Sequence, residues 1–271
     1  MKDKKRLYWN SCSFLYADCM IGDNGNYILS EKSILSKLFT NSSYIASGMG
    51  SNNESIFRRT LIDCSKNNFD FVIIGWSHPE RALVVDNRID YIDYQKLKQE
   101  ADLNILGVSR NKKIYPYINK IPGQNDENDI FLKFEPKGTD DTIFYTIALH
   151  NFFKQKGIPH LFLNMGKLDS DVLSARESWL QDIDPKNYLS VNDDDTILQK
   201  MSFCFTEYYA KKAEKTVVKD IDIEKYKSFK GNSDFEYEKT GWLSDCGGHL
   251  GELGYQHLFD LMYTHIIKNI L

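Results

Sequence analysis

The run FDFVIIGW (69–76) shows no alternation: after Asp70 every residue is apolar up to Gly75, and Trp76 closes it. A strand with one wet face alternates polar and apolar side chains, whereas a strand covered on both faces has no reason to. This run therefore predicts a central strand of a parallel sheet with helices on either side. Three further short apolar runs, RLYWNSC (6–12), YIAS (44–47) and PHLFLNM (159–165), read as its neighbours. Helical segments fall between them. SEKSILSKLF (30–39) is one. NNESIFRRTLIDCSK (52–66) is another, with Asn52 or Asn53 as N-cap, Glu54 in its first turn and Phe57 and Leu61 four apart. A third, 140–156, is stopped by Gly157 and Pro159. The last repeats Leu258, Met262, Ile266 and Ile270 at every fourth position. Strands alternating with helices predict a three-layer α/β/α fold around a parallel sheet. One domain over 1–271 is expected, with irregular excursions at about 82–139 and 184–240, the latter holding a helix near 195–213.

Charge excludes some functions. Lys and Arg number 34 against 38 Asp and Glu, a net charge of −4. The basic runs are short, so no nucleic-acid partner is expected. No apolar stretch is long enough to span a bilayer, so no membrane partner is expected either. KDKKR followed by aromatics imitates a secretion signal, but Asn10, Ser11, Ser13 and Asp18 interrupt the apolar region. Five cysteines are an odd number and form no secreted disulfide framework. A reduced, cytoplasmic setting is the expectation. CGGH (246–249) with Cys12 and Cys19 has spacings too wide for a zinc site, so no metal or other cofactor is expected.

In a parallel sheet the loops at the carboxyl ends of the strands gather into one crevice. Here those loops read NSCSF, SGMGSNN and GWSHPER, and SDCGGHLGELGY (244–255) precedes the last helix. Glycines around His249 free the backbone to present its imidazole. His150, His257 and His265 fall within helices and His160 at a strand start, and these read as structural. Cys12 and Ser13 alternate along a strand, so both cannot face one site while the strand lasts, and Cys12 reads as a small buried residue.

Taken in order, SCSF (11–14), GMGSNNESIFR (48–58), GWSHPER (75–81) and DCGGHLGELG (245–254) resemble the blocks of the SGNH, or GDSL-type, hydrolases. The likeness is to the divergent branch common in bacterial viruses, which would act inside a host cell. It implies a flavodoxin-like sheet and a serine esterase that removes an acyl group, such as O-acetyl, from a carbohydrate or other small ester. By that resemblance Ser13 is the nucleophile, His249 its general base and Asp245 the residue that orients the imidazole. Oxyanion donors would be the N–H of Ser13 and that of Gly50 or Gly48. Asn52, Ser77, His78 and Arg81 are placed among the substrate-binding residues, Arg81 either binding an anionic group or pairing with a carboxylate. Two positions depart from the pattern. Ser77 stands where an asparagine usually donates to the oxyanion, and Asp245 stands four residues before the histidine instead of three. An inactive binding module on the same fold, or an acyltransferase, is the alternative.

Overall fold

The computed structural model of the chain describes residues 4–12, 15, 28, 33–40, 42–46, 51–79, 128–220, 242–243 and 249–271, with 128–136 and 216–220 described by their backbone alone. Its strands are β1 (Leu7–Ser11), β2 (Tyr44–Ile45), β3 (Phe71–Trp76) and β4 (His160–Asn164). Its helices are α1 (Asn53–Lys66), α2 (Asn128–Lys156), α3 (Ser170–Ala175), α4 (Ile197–Ser202), α5 (Phe205–Asp220) and α6 (Glu252–His265). The strands pair in the order β2-β1-β3-β4, and every pairing is parallel. The fold is mixed α/β on a four-stranded parallel sheet.

Every residue of β1, β3 and β4 is buried. Alternate side chains enter two separate cores. Trp9, Phe71, Ile73 and Leu161 meet Leu258, Phe259 and Met262 of α6. On the other face Tyr8, Val72, Ile74 and Phe162 meet Ile56 of α1 and Ile143 and Phe153 of α2. Each such side chain contributes about 1.5–3 kcal/mol on burial, which is why an unbroken apolar run tolerates only a central position. One polar residue interrupts β1. Asn10 is buried, and its amide donates to Ile56 O and Thr60 Oγ1 at 3.0 Å each, so the exception ties β1 to α1.

Helix ends follow the expected chemistry where it is local. Asn52 caps α1 by accepting from the Ser55 N–H at 2.8 Å. Gly157 ends α2 at φ 65°, a left-handed conformation that costs glycine nothing. Elsewhere tertiary contacts override the local signal. Of the helix expected at 30–39, the described residues keep one 3₁₀ turn, Ile34–Lys37, because Phe39 leaves it to bridge Lys5 and pack on Phe71 at 5.6 Å. Helix α2 begins at Asn128, twelve residues before the expected start. The single helix expected near 195–213 is two, α4 and α5. At the break, Cys204 Sγ and Thr206 Oγ1 both donate to Met165 O, at 3.2 and 2.7 Å, so the loop after β4 fixes the kink. Residues 184–220, expected as an excursion, join the sheet and its cores: Tyr188 bridges Phe162 in parallel and Leu189 N–H donates to Phe162 O at 2.8 Å. Of the two excursions, 82–127 and 221–240 lie outside the described residues.

His160 opens β4 and is buried against His150 of α2, Nε2 to Nδ1 at 2.9 Å. Its Nδ1–H donates to Ile158 O at 3.0 Å. Burial pushes the His160 pKa down to about 4, the nearby His150 adding to it against the Ile158 hydrogen bond. His150 is lowered as well, by burial first and Lys154 second. His160 is thus neutral in the fold down to acidic pH and takes up a proton more readily when unfolded. The His160 contribution is complete above pH 6.5 and is lost as pH falls toward 4. A gap of that size is worth about 3 kcal/mol. Urea midpoints measured from pH 7 to pH 4 should fall in the wild type and fall much less in His160→Phe. Parallel profiles for the two proteins would contradict the assignment.

Candidate active site

Because the strands are parallel, Ser11, Ile45, Trp76 and Asn164 all end on one edge of the sheet. Just after β1, Cys12 is buried, and Leu15 N–H donates to Cys12 O at 3.1 Å across the two residues between. Those residues, Ser13 and Phe14, lie outside the described residues. Leu15 then folds onto the end of β3: a Cβ on Gly75 would stand 2.0 Å from Leu15 Cδ1 and 3.0 Å from Ser11 Cβ. Gly75 therefore leaves the space that Leu15 fills.

At the other end of the chain, Leu243 and Leu250 form an antiparallel bridge, and Gly251 N–H donates to Trp242 O at 3.0 Å. These contacts hold the neck of the loop that carries His249, which is half-buried beside the start of α6. Phe259, midway along α6, meets Trp9 edge-on at 6.1 Å. His265, at its far end, meets Lys186 O at 2.7 Å, and Lys186 lies just before Tyr188, the partner of Phe162. Helix α6 therefore runs against the strands, with His265 toward their amino ends. Its 14 residues span about 21 Å. The start of α6 thus lies toward the carboxyl ends of the strands, and His249 stands three residues before Glu252. Asp245 and Cys246 lie outside the described residues, as do Gly48, Gly50 and Arg81.

The end of β3 differs from expectation. Ser77, expected on the rim of the crevice, is wholly buried. Its neighbour His78 is half-buried and is the accessible residue of the 77–79 stretch. Asn52 is 2% exposed, with its Oδ1 committed to the α1 cap, so its role here is structural. Asn53 is the residue that sequence reasoning missed. Its Oδ1 accepts from Ser77 N–H at 2.7 Å, and its Nδ2 donates to Ser77 O at 3.2 Å and to Thr142 Oγ1 at 2.8 Å. A signal for it existed in the doublet: one asparagine suffices for a cap, and a second inside the first turn is a poor helix former that needs another partner.

A cavity of about 620 Å³ lies at the opposite end of α6, between the loop 189–195 and His265. Its polar groups are largely spent on one another. Asp193 meets His265 Nδ1 at 2.9 Å and Lys268 Nζ at 2.8 Å, and Ser190 Oγ donates to Asp195 at 2.9 Å. Hydrogen bonds from Lys268 and His265 hold the Asp193 carboxyl down at about 2, a carboxylate fully engaged in structure. Among the described residues no cluster of three His, Cys, Asp or Glu side chains is arranged to hold a metal ion, and no helix is long and apolar enough to cross a membrane. No family model, curated protein or solved structure matches the chain.

The Gly75–Leu15 contact is open to direct test. Gly75→Ala should lower stability by about 1–3 kcal/mol through overpacking against Leu15. Adding Leu15→Ala should relieve the overlap, so that the double variant loses less than the two single losses combined. Strict additivity in urea denaturation would mean that Leu15 does not occupy the space over Gly75.

Proposed function

We propose that the chain is a serine esterase of SGNH type, with a three-layer, flavodoxin-like arrangement, acting on a small or carbohydrate-borne ester such as an O-acetyl group. One observation carries the reading. β1 ends at Ser11 in register with Gly75 near the end of β3, so the segment that carries Ser13 leaves the parallel sheet at its carboxyl edge. A serine just past the carboxyl end of a parallel strand would present its hydroxyl to the crevice formed there.

In this mechanism Ser13 Oγ attacks the acyl carbon while its proton passes to His249 Nε2, and the carbonyl π electrons move onto oxygen. Backbone N–H groups of Ser13 and Gly50 meet that oxyanion, each worth about 3 kcal/mol of barrier. The intermediate expels the alkoxide, which takes the proton from His249 and leaves Ser13 acylated. Water then attacks the acyl carbon as its proton passes to the same imidazole, and collapse of that intermediate breaks the bond to Ser13 Oγ, which takes the proton back as the acid leaves. Asp245 orients the ring and stabilises the imidazolium. An acceptor alcohol in place of water would make the same residues an acyltransferase. The burial of Ser77 favours a second reading, a binding module of the same fold with little catalytic power, because no side-chain amide from that position meets the oxyanion.

A fluorophosphonate probe distinguishes the two readings, since only an activated serine reacts with it. The wild type should be labelled, Ser13→Ala should not, and His249→Ala should be labelled slower by about 10² or more. Absence of label on folded wild type, or label retained in Ser13→Ala, would overturn the esterase reading at this site.

A further inference from the structure

Three consecutive residues after β3 are gripped from three directions. Asn53, in the first turn of α1, is 5% exposed and closes a ring on Ser77, accepting from its N–H at 2.7 Å and donating to its C=O at 3.2 Å. The same amide is anchored to α2 through Thr142 Oγ1 at 2.8 Å, and that hydroxyl donates to Gly138 O at 2.7 Å. Gly138 lies directly on the next peptide: a Cβ there would stand 1.9 Å from Pro79 O. From the third side the loop after β4 presses in, where a Cβ on Gly166 would stand 2.4 Å from His78 Cα and 2.7 Å from its N. Ser77 and Pro79 are buried by this grip, and His78 alone of the three keeps an accessible side chain. A buried amide, a helix glycine and a loop glycine converge on a segment with no hydrophobic payload of its own beyond Pro79. Such over-determination is what a preorganised site needs, because a donor held to within about 0.5 Å avoids reorganisation during reaction.

We propose that Asn53 is the positioning residue of the active site, and that the segment it locks lets His78 donate its imidazole N–H to the carbonyl oxygen of the bound ester. This rests on the esterase reading above and assigns to His78 the stabilisation that Ser77 is too short and too buried to give. The ring carries an N–H in either protonation state, so the role requires no proton transfer from His78. Attack by Ser13 places the electron pair on the carbonyl oxygen, and the His78 hydrogen bond strengthens as that charge grows.

Steady-state hydrolysis of a p-nitrophenyl acetate probe, alongside fluorophosphonate labelling, tests the assignment. His78→Ala should lower kcat by about 10²–10³-fold with KM little changed and the unfolding midpoint retained. His78→Asn, which supplies an amide donor, should recover much of that loss. Asn53→Ala should lower kcat as well, and adding it to His78→Ala should cost little more, since both remove one interaction. A kcat for His78→Ala within about threefold of wild type, with Ser13-dependent labelling intact, would overturn the role of His78 while leaving the esterase standing. Additive losses for Asn53→Ala and His78→Ala would overturn the positioning role of Asn53. Absence of Ser13-dependent labelling would overturn both the esterase and this assignment.

Discussion

Parallel pairing at the centre of the sheet governs the rest of this molecule. A parallel strand cannot be reached by a tight hairpin, so each return of the chain must cross a face of the sheet, and a helix is the usual way to do so. With β3 buried on both faces, helices cover both sides: the crossovers α1 and α2 over one, the last helix α6 over the other. The consequence is directional. Every strand exits toward the same edge, so residues far apart in sequence are brought to neighbouring strand ends. Ser11, Ser77 and Asn164 are separated by up to 153 positions and stand at neighbouring strand ends.

The polar groups buried under that edge show how the loops are held. Asn10, Asn53 and Asn164 are each at most 5% exposed, and each amide is hydrogen-bonded to a different helix or loop. Asn164 donates to Met201 O at the end of α4 and accepts from Tyr188 OH. A buried amide left unpaired would cost about 1–3 kcal/mol, so each of these residues penalises any register but one. The apolar cores account for most of the stability. The amides select which arrangement of crossovers is compatible with it.

Legibility in the sequence follows the same division. β1, β3 and β4 are readable because burial on both faces erases the polar alternation, and RLYWNSC, FDFVIIGW and PHLFLNM each show that. The α1 cap and the Gly157 stop are readable because a cap is a contact between residues at most a few apart. Hidden from the sequence is whatever depends on a partner distant in the chain: the kink between α4 and α5 rests on Met165, and the rung at Tyr188 on Phe162. Site residues divide likewise. Ser13 and His249 stand out through the order of four motifs, though Ser13, Gly48, Gly50, Arg81 and Asp245 fall outside the described residues. Asn53 lies within the second of those motifs, yet its role is hidden, since its partner Ser77 is 24 residues away and is met only once β3 and α1 have packed.

Helix α6 connects the two ends of this design. Glu252 stands in its first turn and His265 in its last, with Lys268 just beyond, an arrangement that suits the helix dipole at both termini. The His265–Asp193–Lys268 contacts, together with the bond from His265 to Lys186 O, fix the far end against the amino side of the sheet. Phe259 on Trp9 fixes the middle. A helix pinned at two points along about 21 Å leaves its third point little freedom. The start of α6, where Gly251 N–H meets Trp242 O and Leu250 pairs with Leu243, is thus set by ionic and aromatic contacts made farther along the helix.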